Sequence, residues 1–239
     1  MRASQFEFRH RFWIFGVLYY AGFAPYGSGD KNSLVSVIRY FSPEMSDAGY
    51  HIAFAIAALV MVFAALLRTW ATAYLSTEVM KHGQLQSATL VADGPYRYVR
   101  NPLYLGNIVM AFSFGALASR IGAVIMIVGI IVFILRLIGR EEAQLEAEQG
   151  AAFWRFRDTV PRLIPSIAPR LPSSGRRPRW KQAFAGESMM WGFFITTVIF
   201  AITLHTGKAF FIALVLSVAS TFLFRGSEPG SKASADTAK

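Results

Sequence analysis

The sequence predicts an all-α, polytopic transmembrane helical bundle of about six spans, with an amphipathic helical segment on the cytoplasmic side. Three observations predict it. Hydrophobic residues make up 54% of the 239-residue chain and charged residues only 16%, against roughly 25% charged in average soluble domains. The deficit is uneven, because long uncharged runs alternate with clusters of Lys and Arg. Those clusters fall mostly in every second gap between the runs, as the positive-inside rule requires.

Spanning the hydrocarbon takes about 20 apolar residues, with a range of about 17–25. The first run, 12–26, is slightly short unless Phe6 and Phe8 assist at the interface. Arg2, Arg9 and Arg11 precede it, but it lacks a small-residue cleavage site, so it reads as a retained helix rather than a signal peptide. Residues 34–41 are too few to span and are expected in the outer interface. The second run is 51–67, continuing to 75. The third, 103–118, and the fourth, 121–138, are separated only by Ser119 and Arg120, which predicts a tight antiparallel hairpin. The fifth, 189–204, and the sixth, 209–224, form a second hairpin. The tail 226–239 is rich in Ser, Gly and Ala and is expected to be disordered. The bundle over 1–225 is read as one domain.

With the amino terminus placed inside, 20 of the 24 Lys and Arg residues fall on the inner side. Only Lys31, Arg39, Arg120 and Lys208 lie outside. This asymmetry predicts both termini in the cytoplasm, in a bacterial or archaeal inner membrane. The net charge of +10 is explained by anionic lipid rather than nucleic acid, because the positive residues flank apolar runs. There are no cysteines, which excludes disulfides, thiolate nucleophiles and Cys-based metal sites. Residues 168–181 carry three prolines and five basic residues and read as a solvated linker against lipid headgroups.

Two inner segments hold more polar groups than a connecting loop needs. In the first, Gly94-Pro95 marks a turn and Tyr96 and Arg97 follow. Asn101-Pro102 then opens the third run: Asn caps free N–H groups, and proline at the first helical position loses nothing. The positive end of that helix, beside Arg100, suits a carboxylate or phosphate. Tyr104 lies in its first turns, and Gly106 permits close approach of a helix or ligand. The second segment, directly after the fourth run, contains Glu141-Glu142, Leu145, Gly150, Phe153, Phe156 and Val160-Pro161-Arg162-Leu163-Ile164-Pro165. The hairpin should bring residues near 101 and 142 together at one membrane face.

At these residues, across roughly 50–166, the chain resembles the isoprenylcysteine carboxyl methyltransferase and phospholipid methyltransferase superfamily. The likeness rests on the ordered set from Gly94 to Gly106, then Glu141-Glu142, then Val160 to Pro165, with one hairpin between the halves. It implies an S-adenosylmethionine-dependent enzyme acting on a lipid or lipophilic molecule, with no metal required. By the resemblance, Tyr96, Arg100, Asn101, Pro102, Tyr104 and Gly106 line the amino-acid and sulfonium end of the cofactor. Glu141 and Glu142 hold ribose hydroxyls or the adenine amine, and Arg162 closes the pocket or orients the substrate. Arg100, Tyr104, Glu142 and Arg162 are the expected catalytic set. Carboxyl methyltransferases usually show His where this chain has Asn101, which favours an amine acceptor over a carboxylate. Two alternatives stay open: an NADPH-dependent sterol-type reductase and a non-enzymatic membrane interaction protein. The resemblance says nothing of the hairpin 189–224.

Overall fold

The computed structural model describes residues 1–75 and 93–205, together with Phe211, Val215 and Ala219. Nine α-helices have their bounds among the described residues. A short α1 (Gln5–Arg9) starts on a reciprocal cap, in which the Ser4 hydroxyl accepts from Glu7 N–H and the Glu7 carboxylate from Ser4 N–H. Next come α2 (Arg11–Phe23), a 3₁₀ turn (Ala24–Ser28) and α3 (Ser33–Phe41). The long α4 (Asp47–Tyr74) follows. After a second 3₁₀ turn (Gly94–Arg97), α5 (Pro102–Leu117) and α6 (Arg120–Gln149) form the predicted hairpin. The described chain ends with α7 (Ala151–Thr159), α8 (Trp180–Gly186) and α9 (Ser188–Thr203).

The core lies where α4, α5 and α6 meet. Met61, Ala64 and Ala65 face Met110, Ala111 and Phe114, and Met126, Ile130, Ile134 and Ile138 close the third side. Helices in lipid gain no hydrophobic drive from each other, so small residues and interhelical hydrogen bonds hold them. The Ser113 hydroxyl donates to Ala57 C=O at 2.8 Å, joining α5 to α4. α2 lies flush on α6, where a Cβ on Gly122 would sit 2.1 Å from Gly22 C=O. The outer face of α4 presents Ile52, Ile56, Leu59, Phe63 and Leu66, exposed at helical spacing as lipid-facing side chains are.

The expected count of about six spans is not reached by the described residues. Two helices, α4 and α6, are long and apolar enough to cross a membrane, and a third span arises if α8 and α9, bent by 61°, count as one. At 1.5 Å per residue, α4 and α6 measure about 42 and 45 Å, against a hydrocarbon layer of about 30 Å. α2 reaches only about 20 Å and α5 about 24 Å. The physical reason is punctuation: His10 breaks the chain before α2 and Pro25 tightens it into a 3₁₀ turn afterwards. Pro102 and the Ser119 cap bound α5 in the same way. The sixth run, 209–224, lies outside the described residues except for the three named above, and the tail 226–239 lies wholly outside.

The segment 168–181 is not a free linker. The Asp93 carboxylate, 1% exposed, accepts from the Ser173 hydroxyl at 2.8 Å, from Ser174 N–H at 2.9 Å and from Arg176 N–H at 3.2 Å. The Ser174 hydroxyl also donates to it. Arg179 N–H bonds Ala73 C=O at 2.8 Å. The segment is thereby strapped to the end of α4 and to the turn that leads into α5.

Candidate functional site

The predicted convergence of residues 101 and 142 is present. The α5–α6 hairpin places the first turn of α5 against the lower third of α6. There the Glu142 carboxylate lies 3.3 Å from Arg100 Nη1 and 2.8 Å from Arg162 Nη2. One residue earlier, Glu141 accepts from the Tyr104 hydroxyl at 2.6 Å. Arg162 arrives from the segment after α7, which is hydrogen-bonded to the loop before α5. Arg100 N–H donates to Pro161 C=O at 2.8 Å and Ser166 N–H to Tyr98 C=O at 3.0 Å.

Asn101 occupies the cap position before Pro102, but its side chain makes no cap hydrogen bond. Its amide instead donates to Arg162 C=O at 3.1 Å. The backbone at Asn101 (φ −123°, ψ 58°) accompanies this bond, so the residue ties the two halves of the site together and leaves the start of α5 without a side-chain cap.

The arginine side chains are not fully used. Arg100 keeps only 10% of its side chain exposed, yet its Nε and Nη1 make no hydrogen bond among the described residues, nor does Arg162 Nε. Burial depresses the Arg100 pKa below the usual arginine range, with Glu142 opposing the shift. Beside these groups opens a pocket of about 430 Å³, lined by Met1, Arg2, Gly139, Glu142, Phe153 and Arg162 among others. Both arginines pair with Glu142, but the Nε groups of Arg100 and Arg162 keep donor capacity unused, and Arg162 with Glu142 lines the pocket.

The remaining expected residues are close by, with one qualification. Tyr96 is buried in the turn before α5, and burial pushes its phenol above the usual range. Pro102 is buried at the first position of α5. Gly106 faces α4 rather than the pocket: a Cβ there would lie 2.4 Å from Arg68 Cγ, so the glycine makes room for an arginine side chain.

That arginine belongs to a cluster the sequence reading missed. Arg68 pairs with Glu187 through two hydrogen bonds, Nε to Oε2 at 2.7 Å and Nη2 to Oε1 at 3.0 Å. Its Nη1 donates to Asn107 Oδ1 at 2.8 Å and to Leu103 C=O at 3.3 Å. The Thr72 hydroxyl also donates to Glu187, at 2.7 Å. The available signal was a lone Arg at the end of one apolar run and a lone Glu at the start of another, a pattern that marks function when it falls within membrane segments.

Apolar helices long enough to cross a membrane, with an Arg–Glu–Arg cluster at one end of the bundle, define an integral membrane protein. Residues 52–147 match the model of the isoprenylcysteine carboxyl methyltransferase (ICMT) family, a methyltransferase family. The match supports placing the chain in the superfamily of membrane methyltransferases, and so supports an enzyme. Arg68, Tyr96, Arg100, Asn101, Tyr104, Glu141 and Glu142 fall inside the matched segment, whereas Arg162 and Glu187 lie beyond it. No curated protein and no solved structure matches the chain.

Proposed function

We propose that the protein transfers a methyl group from S-adenosylmethionine to a lipid or lipophilic small molecule at the cytoplasmic membrane face. The observation that carries this reading is the meeting of Arg100 and Arg162 on Glu142, with both Nε groups unbonded and Arg162 and Glu142 lining a pocket of about 430 Å³. The cofactor supplies an electrophilic methyl on a sulfonium. Arg100 and the uncapped start of α5 would bind its carboxylate. Glu142 and Glu141 would hold ribose hydroxyls or the adenine amine. Arg162 would close the pocket.

The protein's contribution is alignment. Holding nucleophile, methyl and leaving group in line is worth roughly 7–11 kcal/mol. An amine acceptor must lose a proton, to a glutamate or to water, before it attacks; a carboxylate need not. Asn101 favours the amine, such as an ethanolamine headgroup. An amphiphile can leave its tail among the helices and present only its head. In this reading α2 and α5, lengthened by their flanking turns, cross the bilayer beside α6, and both termini face the cytoplasm.

Two measurements test the proposal. S-adenosylhomocysteine should raise the melting temperature of the detergent-solubilised protein, and NADPH should not; the reverse result would identify a reductase. Labelled cofactor supplied with phosphatidylethanolamine should give base-stable label in the lipid. With a farnesylated cysteine analogue, base-labile ester would instead identify a carboxylate acceptor.

A further inference from the structure

The bent pair α8–α9 lies outside the segment matched to the methyltransferase family, and the sequence assigned it no role. Its bend falls at Glu187, between the end of α8 and the start of α9. The backbone carbonyl of Glu187 accepts from Met190 N–H at 2.9 Å and from Trp191 N–H at 3.2 Å, starting α9. The side chain turns the other way, into the bundle, where the residue is 5% exposed. There it meets Arg68 of α4 in the two-bond pair described above, with Thr72 donating to the same carboxylate.

A buried ion pair is a poor device for stability alone, because desolvation consumes most of the attraction. In a membrane segment ionisable residues are rare and costly, so such a pair calls for a functional explanation. The geometry shows what is held. All three guanidinium nitrogens of Arg68 are engaged, two on Glu187 and the third on Leu103 C=O and Asn107 Oδ1 of α5. Between those two acceptors sits Gly106, over which the Arg68 stem passes at a distance no side chain would allow. Leu103 and Asn107 bracket Tyr104, and Arg100 and Asn101 immediately precede them. Arg68 thus grips the turns of α5 that carry the ligand-facing residues, and Glu187 fixes the guanidinium plane from the far side.

We infer that the Arg68–Glu187 pair is a positioning device: the bend of α8–α9 supplies a carboxylate that locks Arg68, and Arg68 sets the rotation and depth of the first turns of α5. Neither residue touches substrate or cofactor; both act through Arg100 and Tyr104. The inference rests on the methyltransferase reading for its consequence and on the described contacts for its geometry. It gives the helices beyond the family-matched segment a function, as a brace for the site. It also gives Gly106 a different reason from ligand approach.

The test separates positioning from mere stability and from the choice of reaction. Asn107→Ala removes one α5 contact but leaves the ion pair intact; Asn107→Asp keeps an oxygen acceptor at the same place. Glu187→Gln weakens the pair itself. The chain has no native cysteine, so Leu103→Cys introduced into each background is a unique probe of the first turn of α5. We expect Asn107→Ala and Glu187→Gln to speed maleimide labelling of that probe. They should also weaken S-adenosylhomocysteine binding several-fold, indirectly, through the displaced Arg100 and Tyr104. Asn107→Asp should restore both, with the melting temperature of Asn107→Ala near that of the parent protein. Unchanged labelling in both weakened variants would overturn the inference. So would affinity losses that follow melting temperature alone, with no rescue by Asn107→Asp. If no variant and not even the parent protein binds S-adenosylhomocysteine, the methyltransferase reading fails, and the labelling rates still decide the positioning role.

Discussion

Individual residues divide into those that the proposed reading sets against the ligand and those that hold the surrounding segments still. Glu142 belongs to the first group, sitting between two arginines with one oxygen lacking a hydrogen bond among the described residues. Replacing Glu142 with Ala should weaken S-adenosylhomocysteine binding by roughly 1.5–3 kcal/mol, the range for hydrogen bonds to a charged group. Calorimetry decides the point, and equal affinity for variant and parent removes this glutamate from the site. Asp93 belongs to the second group. Burial alone would raise its pKa, yet hydrogen bonds from Ser174, Ser173 and the backbone bring it down to about 2 from 3.8. A depressed folded pKa stabilises the fold above the unfolded value and loses that contribution as pH falls through the folded one. Asp93→Asn should therefore lower the melting temperature by a constant amount above about pH 5. The gap to the parent should close between about pH 4 and pH 2. A gap that does not change with pH would mean the carboxylate's charge is irrelevant to the strap.

At the scale of elements, α4 and α5 approach closely because Gly106 admits Arg68. Gly106→Ala would put a Cβ 2.4 Å from Arg68 Cγ, and the arginine cannot swing aside because Glu187 holds its head. Overpacking of this kind costs about 1–3 kcal/mol, so the variant should melt lower and label faster at the first turn of α5. Arg120→Ala, at the opposite end of α6, loses only a largely exposed partner of Asp30 and should leave ligand affinity unchanged. The hairpin joining α5 to α6, and with it the meeting of Arg100 and Glu142, was legible because two apolar runs stood only two residues apart. The short reach of α2 was legible too, since its run was already slightly short, but the tightening at Pro25 into a 3₁₀ turn trimmed it further. The Asn101 cap was misread because its side-chain amide donates to a distant acceptor, Arg162 C=O, an orientation in which its oxygen accepts from no N–H at the start of α5. Glu187 and Arg68 stood out in sequence as single charges, but 119 positions separate them, and no local pattern pairs residues over that distance.

The whole molecule is polar in the electrical sense. One end gathers the amino-terminal segment, the loop before α5, the end of α6 and the strapped segment 168–181. Ala3 N–H bonds Arg136 C=O at 2.9 Å, and the Arg140 guanidinium reaches Ala3 C=O at 3.2 Å, so the start of the chain sits at the same end as Glu142. This end carries Arg2, Arg9, Arg11, Arg97, Arg100 and the run from Arg136 to Lys181. The other end holds the turn at Ser119, where Arg120 N–H bonds Lys31 C=O at 2.9 Å. About 45 Å of α6 separates the two. The basic end should face the cytoplasm, where a soluble cofactor is available. Two exposed positions report this directly: Ser28 lies at the sparsely charged end and Ala151 at the basic end. Ser119, though a natural choice from sequence, is fully buried and caps α6, so a probe there would report unfolding rather than sidedness. In whole cells, an impermeant maleimide should label Ser28→Cys and spare Ala151→Cys until the membrane is permeabilised. Labelling of Ala151→Cys in intact cells, with Ser28→Cys protected, would turn the protein over and place the site on the side where no S-adenosylmethionine is made.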